Sequence, residues 1–77
     1  MFLAKIQKIT DKFVVVENVL ENNVFFRDHA WLKKSKRFNN YKKGDIISFE
    51  ARKKKYLSSE GYKIGLRHIR NIQKIFK

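Results

Sequence analysis

Apolar and polar residues alternate with a period of two along most of this chain, which is the pattern of half-buried β-strands. In the first such segment, Phe2, Ala4 and Ile6 share one face, and Lys5 and Gln7 share the other. Residues that favour tight turns, mainly Asn, Asp, Ser and Gly, separate successive segments. The pattern predicts five strands, at Phe2–Ile9, Phe13–Leu20, Val24–Arg27, Ile46–Tyr56 and Tyr62–Ile69.

Two segments depart from this alternation. The stretch His29–Tyr41 is basic and irregular, so we expect a loop or one short helix there. The tail Asn71–Lys77 predicts either a continuation of the fifth strand or one helical turn. Within the fourth strand, a period of two places Ile47, Phe49 and Ala51 on one face and Ser48, Glu50 and Arg52 on the other.

Five strands in so short a chain leave exposed edges unless the sheet closes on itself. We therefore expect an all-β protein, built as a small five-stranded barrel in which residues 1–77 form a single domain. The OB-fold has a short helix between its third and fourth strands, where the irregular stretch 29–41 falls. The prediction is an OB-fold-like barrel with one short helix or loop between strands three and four, and an SH3-like barrel is the alternative.

The charge of the chain is distributed unevenly. There are 19 Lys and Arg residues against 7 Asp and Glu residues, which gives a formal net charge of +12. Residues 1–32 contain four of each sign, so the whole excess lies in residues 33–77, with fifteen cations against three acids. Positive charge at this density repels itself unless a polyanion neutralises it, which points to DNA or RNA as the partner. The plainer alternative is a solvated basic face with no dedicated ligand.

Residue types that other functions require are missing or scattered. There is no cysteine, which excludes disulfides and Cys-based zinc sites. The seven carboxylates are dispersed, and Asp28 and His29 point to opposite faces if they lie on a strand. We therefore expect no catalysis, no metal site and no cofactor. No apolar run resembles a signal peptide or a membrane span, so we expect a cytoplasmic protein that does not bind membranes.

Basic and aromatic residues are interleaved in three clusters within residues 31–70. Proteins that bind single strands combine cations for the phosphates with aromatic rings on which bases stack. Tyr41 and Tyr56 lie among lysines and are the stacking candidates, whereas Trp31 and Phe38 are open to either a core or a stacking role. His68 falls in the third cluster. The residues predicted to bind nucleic acid are Lys33, Lys34, Lys36, Arg37, Tyr41, Lys42, Lys43, Arg52, Lys53, Lys54, Lys55, Tyr56, Lys63, Arg67 and Arg70.

The stretch 42–51 reads Lys-Lys-Gly-Asp-Ile-Ile-Ser-Phe-Glu-Ala, a turn followed by an alternating strand. It resembles the entry to the fourth strand in small OB-fold nucleic-acid-binding proteins such as translation initiation factor one and the cold-shock domains. The segment Phe26–Trp31 is similar to small OB-fold proteins of phages and mobile elements. The resemblance implies an OB-fold that binds RNA or single-stranded DNA. The paired aromatic motifs of cold-shock domains are missing, so that family's contact residues are not carried over.

Two functions from different classes follow from these observations. The first is a non-catalytic module that binds single-stranded DNA or RNA through phosphate contacts and base stacking. The alternative is a small phage or mobile-element protein that modulates a host nucleic-acid enzyme or ribonucleoprotein by protein–protein contact. Competition by an added oligonucleotide separates the two, because only the first function depends on the surface that the oligonucleotide occupies.

Overall fold

A computed structural model describes residues 1–75 as one antiparallel sheet of five strands and one short 3₁₀ helix. Along the sheet, the strands stand in the order β3-β2-β1-β4-β5. The first three strands follow one another as a meander, and β4 pairs with the free side of β1. The elements are β1 (Phe2–Ile9), β2 (Phe13–Glu21), β3 (Val24–Lys33), the 3₁₀ helix (Lys36–Phe38), β4 (Ile46–Ser58) and β5 (Gly61–Lys74).

The third strand is longer than the sequence pattern predicts. We expected a loop or helix from His29 onward, and this was wrong for His29–Lys33, which continues β3. Ala30 and Leu32 are buried there while their neighbours are exposed, and the segment pairs with β2 through Val15↔Trp31 and Val16↔Ala30. Only two inward positions carry the alternation, and the exposed aromatic Trp31 between them breaks the apolar–polar pattern.

The other predicted elements agree with the structure. Four strands lie where the alternation placed them, and a helix of three residues occupies the interval between β3 and β4. The tail continues β5 as far as Lys74, so the strand interpretation of that segment is confirmed, while residues 76 and 77 lie outside the described part. Within residues 1–75, no helix is long and apolar enough to cross a membrane.

The core lies on the concave side of the sheet and is filled by aliphatic and aromatic side chains from all five strands. In β4 these side chains come only from the first half of the strand. Phe49 is fully buried and its ring stacks on Phe2, with 5.4 Å between the centroids. Ile47 is buried beside it, as the predicted facing of β4 requires. Ser48 faces the other way and is also buried, because β1 and β5 flank β4 at this position. The largest buried side chains are Phe38, Phe49, Ile6, Leu32 and Ile47.

Strands β3 and β5 stand at opposite ends of the sheet, and the curvature of the sheet brings them close together. They form no ladder of hydrogen bonds within the described residues. Instead, two side chains of the segment after β3 donate hydrogen bonds to backbone carbonyls of β5. Arg37 Nη1 donates to the carbonyl of Ile69 at 3.0 Å, and the Tyr41 hydroxyl donates to the carbonyl of Ile72 at 3.1 Å.

The turn before β4 is fixed by one carboxylate. Gly44 has φ +94°, a left-handed conformation that favours glycine, and its N–H donates to the carbonyl of Ile6. Asp45 accepts a hydrogen bond from the backbone N–H of Lys42 at 3.0 Å and forms an ion pair with Lys74 at 3.4 Å. The hydrogen bond from Lys42 is the main cause that lowers the pKa of Asp45 below its ordinary value, and the charge of Lys74 adds to it.

Beyond Glu50, the β4–β5 hairpin extends past the rest of the sheet. Strand β1 pairs with β4 only over Ile46–Phe49. The outer segments, Arg52–Ser58 and Gly61–Arg67, pair only with each other, and we call them the β4–β5 arm. Almost all side chains of the arm are exposed, the exception being Leu66 at its base.

Replacing Phe49 by alanine is expected to lower the free energy of unfolding by about 3–5 kcal/mol, because it leaves a cavity against Phe2. Urea unfolding followed by circular dichroism measures this change. Phe25→Ala is the matched control, since Phe25 is 60% exposed and its loss is expected to cost less than about 1 kcal/mol. Equal losses for the two variants would contradict the assigned facing of β4.

Candidate nucleic-acid interface

The register of the β4–β5 arm divides its side chains between two faces. Residues paired across an antiparallel ladder share a face, and the next pair lies on the opposite one. The pairs Arg52↔Arg67, Lys54↔Gly65 and Tyr56↔Lys63 form one face. We call it the basic face, and it contains Arg52, Lys54, Tyr56, Lys63, Gly65 and Arg67.

The other side of the arm, which we call the apolar face, consists of Lys53, Lys55, Leu57, Tyr62 and Ile64, with the buried Leu66 at its base. The lysine run 53–55 therefore does not act as one cluster. Only Lys54 lies on the basic face, while Lys53 and Lys55 lie on the apolar face. All three are in a paired strand and not at the tip of the hairpin.

The basic face continues into a cleft of about 490 Å³ between β3 and β5. The cleft forms where the two ends of the sheet approach each other without a hydrogen-bonded ladder. Both walls therefore come from strands. The wall on β2 and β3 carries two aromatic rings and Lys33, and the wall on β4 and β5 carries Tyr56, Arg67 and His68. The cleft is lined by Phe13, Trp31, Lys33, Tyr56, Gly65, Leu66, Arg67, His68 and Ile69.

The aromatic wall is built by the Phe13 and Trp31 rings, which meet edge to face with 5.4 Å between centroids. Trp31 is 62% exposed, because it lies on β3 between the inward residues Ala30 and Leu32. Phe38, in contrast, is 1% exposed and fills the core. The two aromatic residues that the sequence left open therefore have different places, one on the surface and one inside.

Tyr56 lines the cleft from the β4–β5 arm, opposite Trp31. The missing side chain at Gly65 leaves space for the Tyr56 ring. A Cβ atom on residue 65 would come within 3.1 Å of Tyr56 Cε1, tighter than an ordinary contact. The absence of a side chain at Gly65 thus lets the tyrosine ring lie against the neighbouring strand. The ring remains partly exposed, so its free side is available to a ligand.

A bulge in β5 places His68 at the inner end of the cleft. Glu50 pairs with Arg70 and Arg52 pairs with Arg67, so β5 has one residue more than β4 in this interval. His68 takes up the extra length with φ +54°, a left-handed conformation that is uncommon outside glycine. Bulges of this kind redirect side chains and are frequent beside functional sites.

His68 also lines a shallow depression beside the cleft, together with Ser35, Arg37, Ile69 and Arg70. The cleft and this depression therefore form a continuous path along β5, first aromatic and then lined by two arginines. Arg37 is held in place by its hydrogen bond to Ile69, and Arg70 lies 3.8 Å from the Glu50 carboxylate. Guanidinium groups fixed in this way are suited to phosphate oxygens.

The remaining predicted residues lie elsewhere. Tyr41 is half-buried against Phe38, and Ile72 accepts a hydrogen bond from its hydroxyl, so its ring belongs to the edge of the core. Lys42 and Lys43 line a separate, more open depression on the side of β1. Lys34 is half-buried just before the 3₁₀ helix, and Lys36 is exposed within it. The fifteen predicted residues thus occupy several surfaces and not one.

The path includes residues that the sequence analysis did not select. Phe13 lies in residues 1–32, the part of the chain without net charge, and nothing in its sequence context sets it apart. Gly65 was visible only as a glycine inside an alternating strand, which signals close approach of another group. His68 was grouped with the third cluster, but the bulge that directs it has no sequence signature.

Nothing in the described part of the chain resembles a metal centre: no group of three or more His, Asp or Glu residues is placed to hold a metal ion. Comparison with known protein families and curated proteins finds no match, and neither does comparison of the fold with solved structures. The candidate site therefore rests on the geometry of the cleft, the basic face and the arginine-lined depression.

The exposure of Trp31 is open to a direct test, because it is the only tryptophan in the chain. We expect its fluorescence to be quenched readily by iodide and several-fold less by caesium, because Lys33 and Arg67 attract anions to the cleft. The double variant Lys33→Ser/Arg67→Ser should reduce the difference between the two quenchers. Emission shielded from both ions would contradict the surface position of Trp31.

Proposed function

We propose that this chain is a non-catalytic module that binds single-stranded DNA or RNA across the cleft and the basic face. The observation that carries the proposal is that exposed aromatic rings and cations line the cleft and the basic face together, and that Lys33, Lys54 and Arg67 form no ion pair within residues 1–75. Trp31 and Tyr56 offer rings to bases, and Lys33, Lys54 and Arg67 offer charge to phosphates. This combination is the one that single-strand binders use.

The distribution of acidic side chains supports the same surface as the binding site for nucleic acid. Of the four ion pairs in the described residues, Lys53–Glu21 and Lys74–Asp45 lie away from the path, at 3.0 and 3.4 Å. On the basic face only Lys63 has an acidic neighbour, Glu60, at 3.3 Å and at the exposed tip. Most cations of the basic face thus remain available to a polyanion, so neutralisation by phosphates removes repulsion among them.

The arrangement of the strands supports an OB-fold as the framework. In that fold a five-stranded, partly open barrel has a short helix between strands three and four. Ligands bind on the face of strands two and three and on the loops β1–β2 and β4–β5. The residues of the cleft follow this distribution, since Phe13 begins β2, Trp31 lies near the end of β3, and Tyr56 and Arg67 belong to the arm.

Single strands are favoured over duplexes for a steric reason. In a duplex the bases are stacked on each other and hidden from side chains, whereas a single strand can place a base against an exposed ring. The cleft is walled by Phe13 and Trp31 on one side and by Tyr56 on the other, so an unpaired base has exposed rings on which to stack. We propose that the protein that binds this ligand is cytoplasmic and has no membrane role.

The first experiment is a salt series with a single-stranded oligonucleotide, the matching duplex and RNA. If about six phosphates are neutralised, the logarithm of affinity falls with the logarithm of salt concentration with a slope near −4. We expect the single strand to bind more tightly than the duplex at every salt concentration. A slope near zero, or no binding at low salt, would overturn the proposal.

The second experiment compares two double variants that have the same net charge but lose their cations from different faces of the arm. Lys54→Ser/Arg67→Ser removes two cations from the basic face, and Lys53→Ser/Lys55→Ser removes two from the apolar face. The first variant should weaken oligonucleotide binding about tenfold or more, because it loses phosphate contacts, and the second by less than about threefold. Equal effects would mean that net charge alone, and not the basic face, binds the ligand.

A further inference from the structure

One edge of β4 has no neighbouring strand along the arm. Strand β1 covers this edge only as far as Phe49, and β5 pairs with the opposite edge. From Lys53 to Leu57, the backbone groups of the uncovered edge have no strand partner within residues 1–75. An exposed edge of this kind is a template for a further strand.

The apolar face of the arm is exposed beside that edge. Leu57 is 71% exposed and Tyr62 is 68% exposed, and Ile64 adjoins them. The Lys55 ammonium lies over the Tyr62 ring, 4.5 Å from its centroid. A two-stranded hairpin is only marginally stable in water by itself. Clustered apolar side chains on its surface indicate an interaction site.

The charge along the edge decides which kind of strand fits. Arg52, Lys53, Lys54 and Lys55 are consecutive on β4, and only Lys53 has an acidic partner in the described residues. Lysines on an edge prevent pairing with another copy of the same strand, and a net charge of +12 adds to that repulsion. The same lysines attract a strand that carries carboxylates.

We propose that the free edge of β4 at Lys53–Leu57 binds an extended segment of a partner protein in which acidic and apolar residues alternate. Side chains of an added strand alternate between the two faces, as they do in the arm itself. The apolar side chains of the segment pack on Leu57 and Tyr62, and its carboxylates lie beside Lys54 on the opposite face. The backbone edge lies outside the cleft, but the carboxylates of the segment and the phosphates of an oligonucleotide share Lys54.

A synthetic peptide of alternating Glu and Ile, acetylated and amidated, is the probe. Titrated into ¹⁵N-labelled protein, it should shift the amide resonances of residues 53–57 and slow their hydrogen exchange. A peptide with N-methyl groups on alternate residues should not bind, because it cannot complete the ladder, and a Lys–Ile peptide should be repelled. Equal binding of the N-methylated peptide, or shifts confined to the cleft, would overturn the proposal.

A matched pair of variants tests the apolar contact. Leu57→Ser should weaken peptide binding about tenfold, because the exposed leucine is buried by the added strand. Val24→Ser is the control, since Val24 is 67% exposed at the β2–β3 turn and should leave affinity unchanged. Unchanged binding by Leu57→Ser would contradict the site.

Oligonucleotide binding measured on the same variants separates this proposal from the proposed function. Leu57→Ser should bind a single strand as the parent chain does, because Leu57 is not on the basic face. If the chain bound no oligonucleotide at all, the proposed function would fail, whereas the peptide titration would still give its own result.

Discussion

The short ladder between β1 and β4 is the constraint on which the rest of the structure depends. β1 pairs with β4 only from Ile46 to Phe49, although β4 continues to Ser58. The paired part of β4 contributes Ile47 and Phe49 to the core, where it is flanked on both sides. The part of β4 beyond Ala51 pairs only with β5 and has no buried side chain, so both of its surfaces and one of its edges are left to interact with other molecules.

This division explains how charge and stability coexist in a chain with net charge +12. The core side chains come mainly from residues 2–49, while the arm carries many of the cations at a distance from it. Repulsion among these cations therefore acts on a part of the molecule that contributes little to the core. Residues 1–32 have no net charge, but they contribute to the candidate site, because Phe13 and Trp31 form the aromatic wall of the cleft.

The sequence predicted most of the sheet, because four strands alternate strongly and turn residues mark their ends. It missed the end of β3, where Ala30 and Leu32 are the only inward residues and the exposed Trp31 lies between them. For the site, alternation along β4 is enough to put Lys54 and Tyr56 on one face. It does not tell which residues of β5 share that face, since this depends on the register of the β4–β5 pairing. The cleft itself depends on sheet curvature and on the bulge at His68, which are tertiary features without a local signal.

The central claim is that a single strand lies in the cleft between Trp31 and Tyr56 and runs along the basic face. Mapping the binding of an oligothymidylate by nuclear magnetic resonance tests it most directly. The account predicts large shifts of the Trp31 indole N–H, of Gly65 and of Arg67, with little change at Leu57 and Ile64 on the other face of the arm. Shifts spread evenly over both faces, or an unaltered Trp31 resonance at saturation, would contradict it.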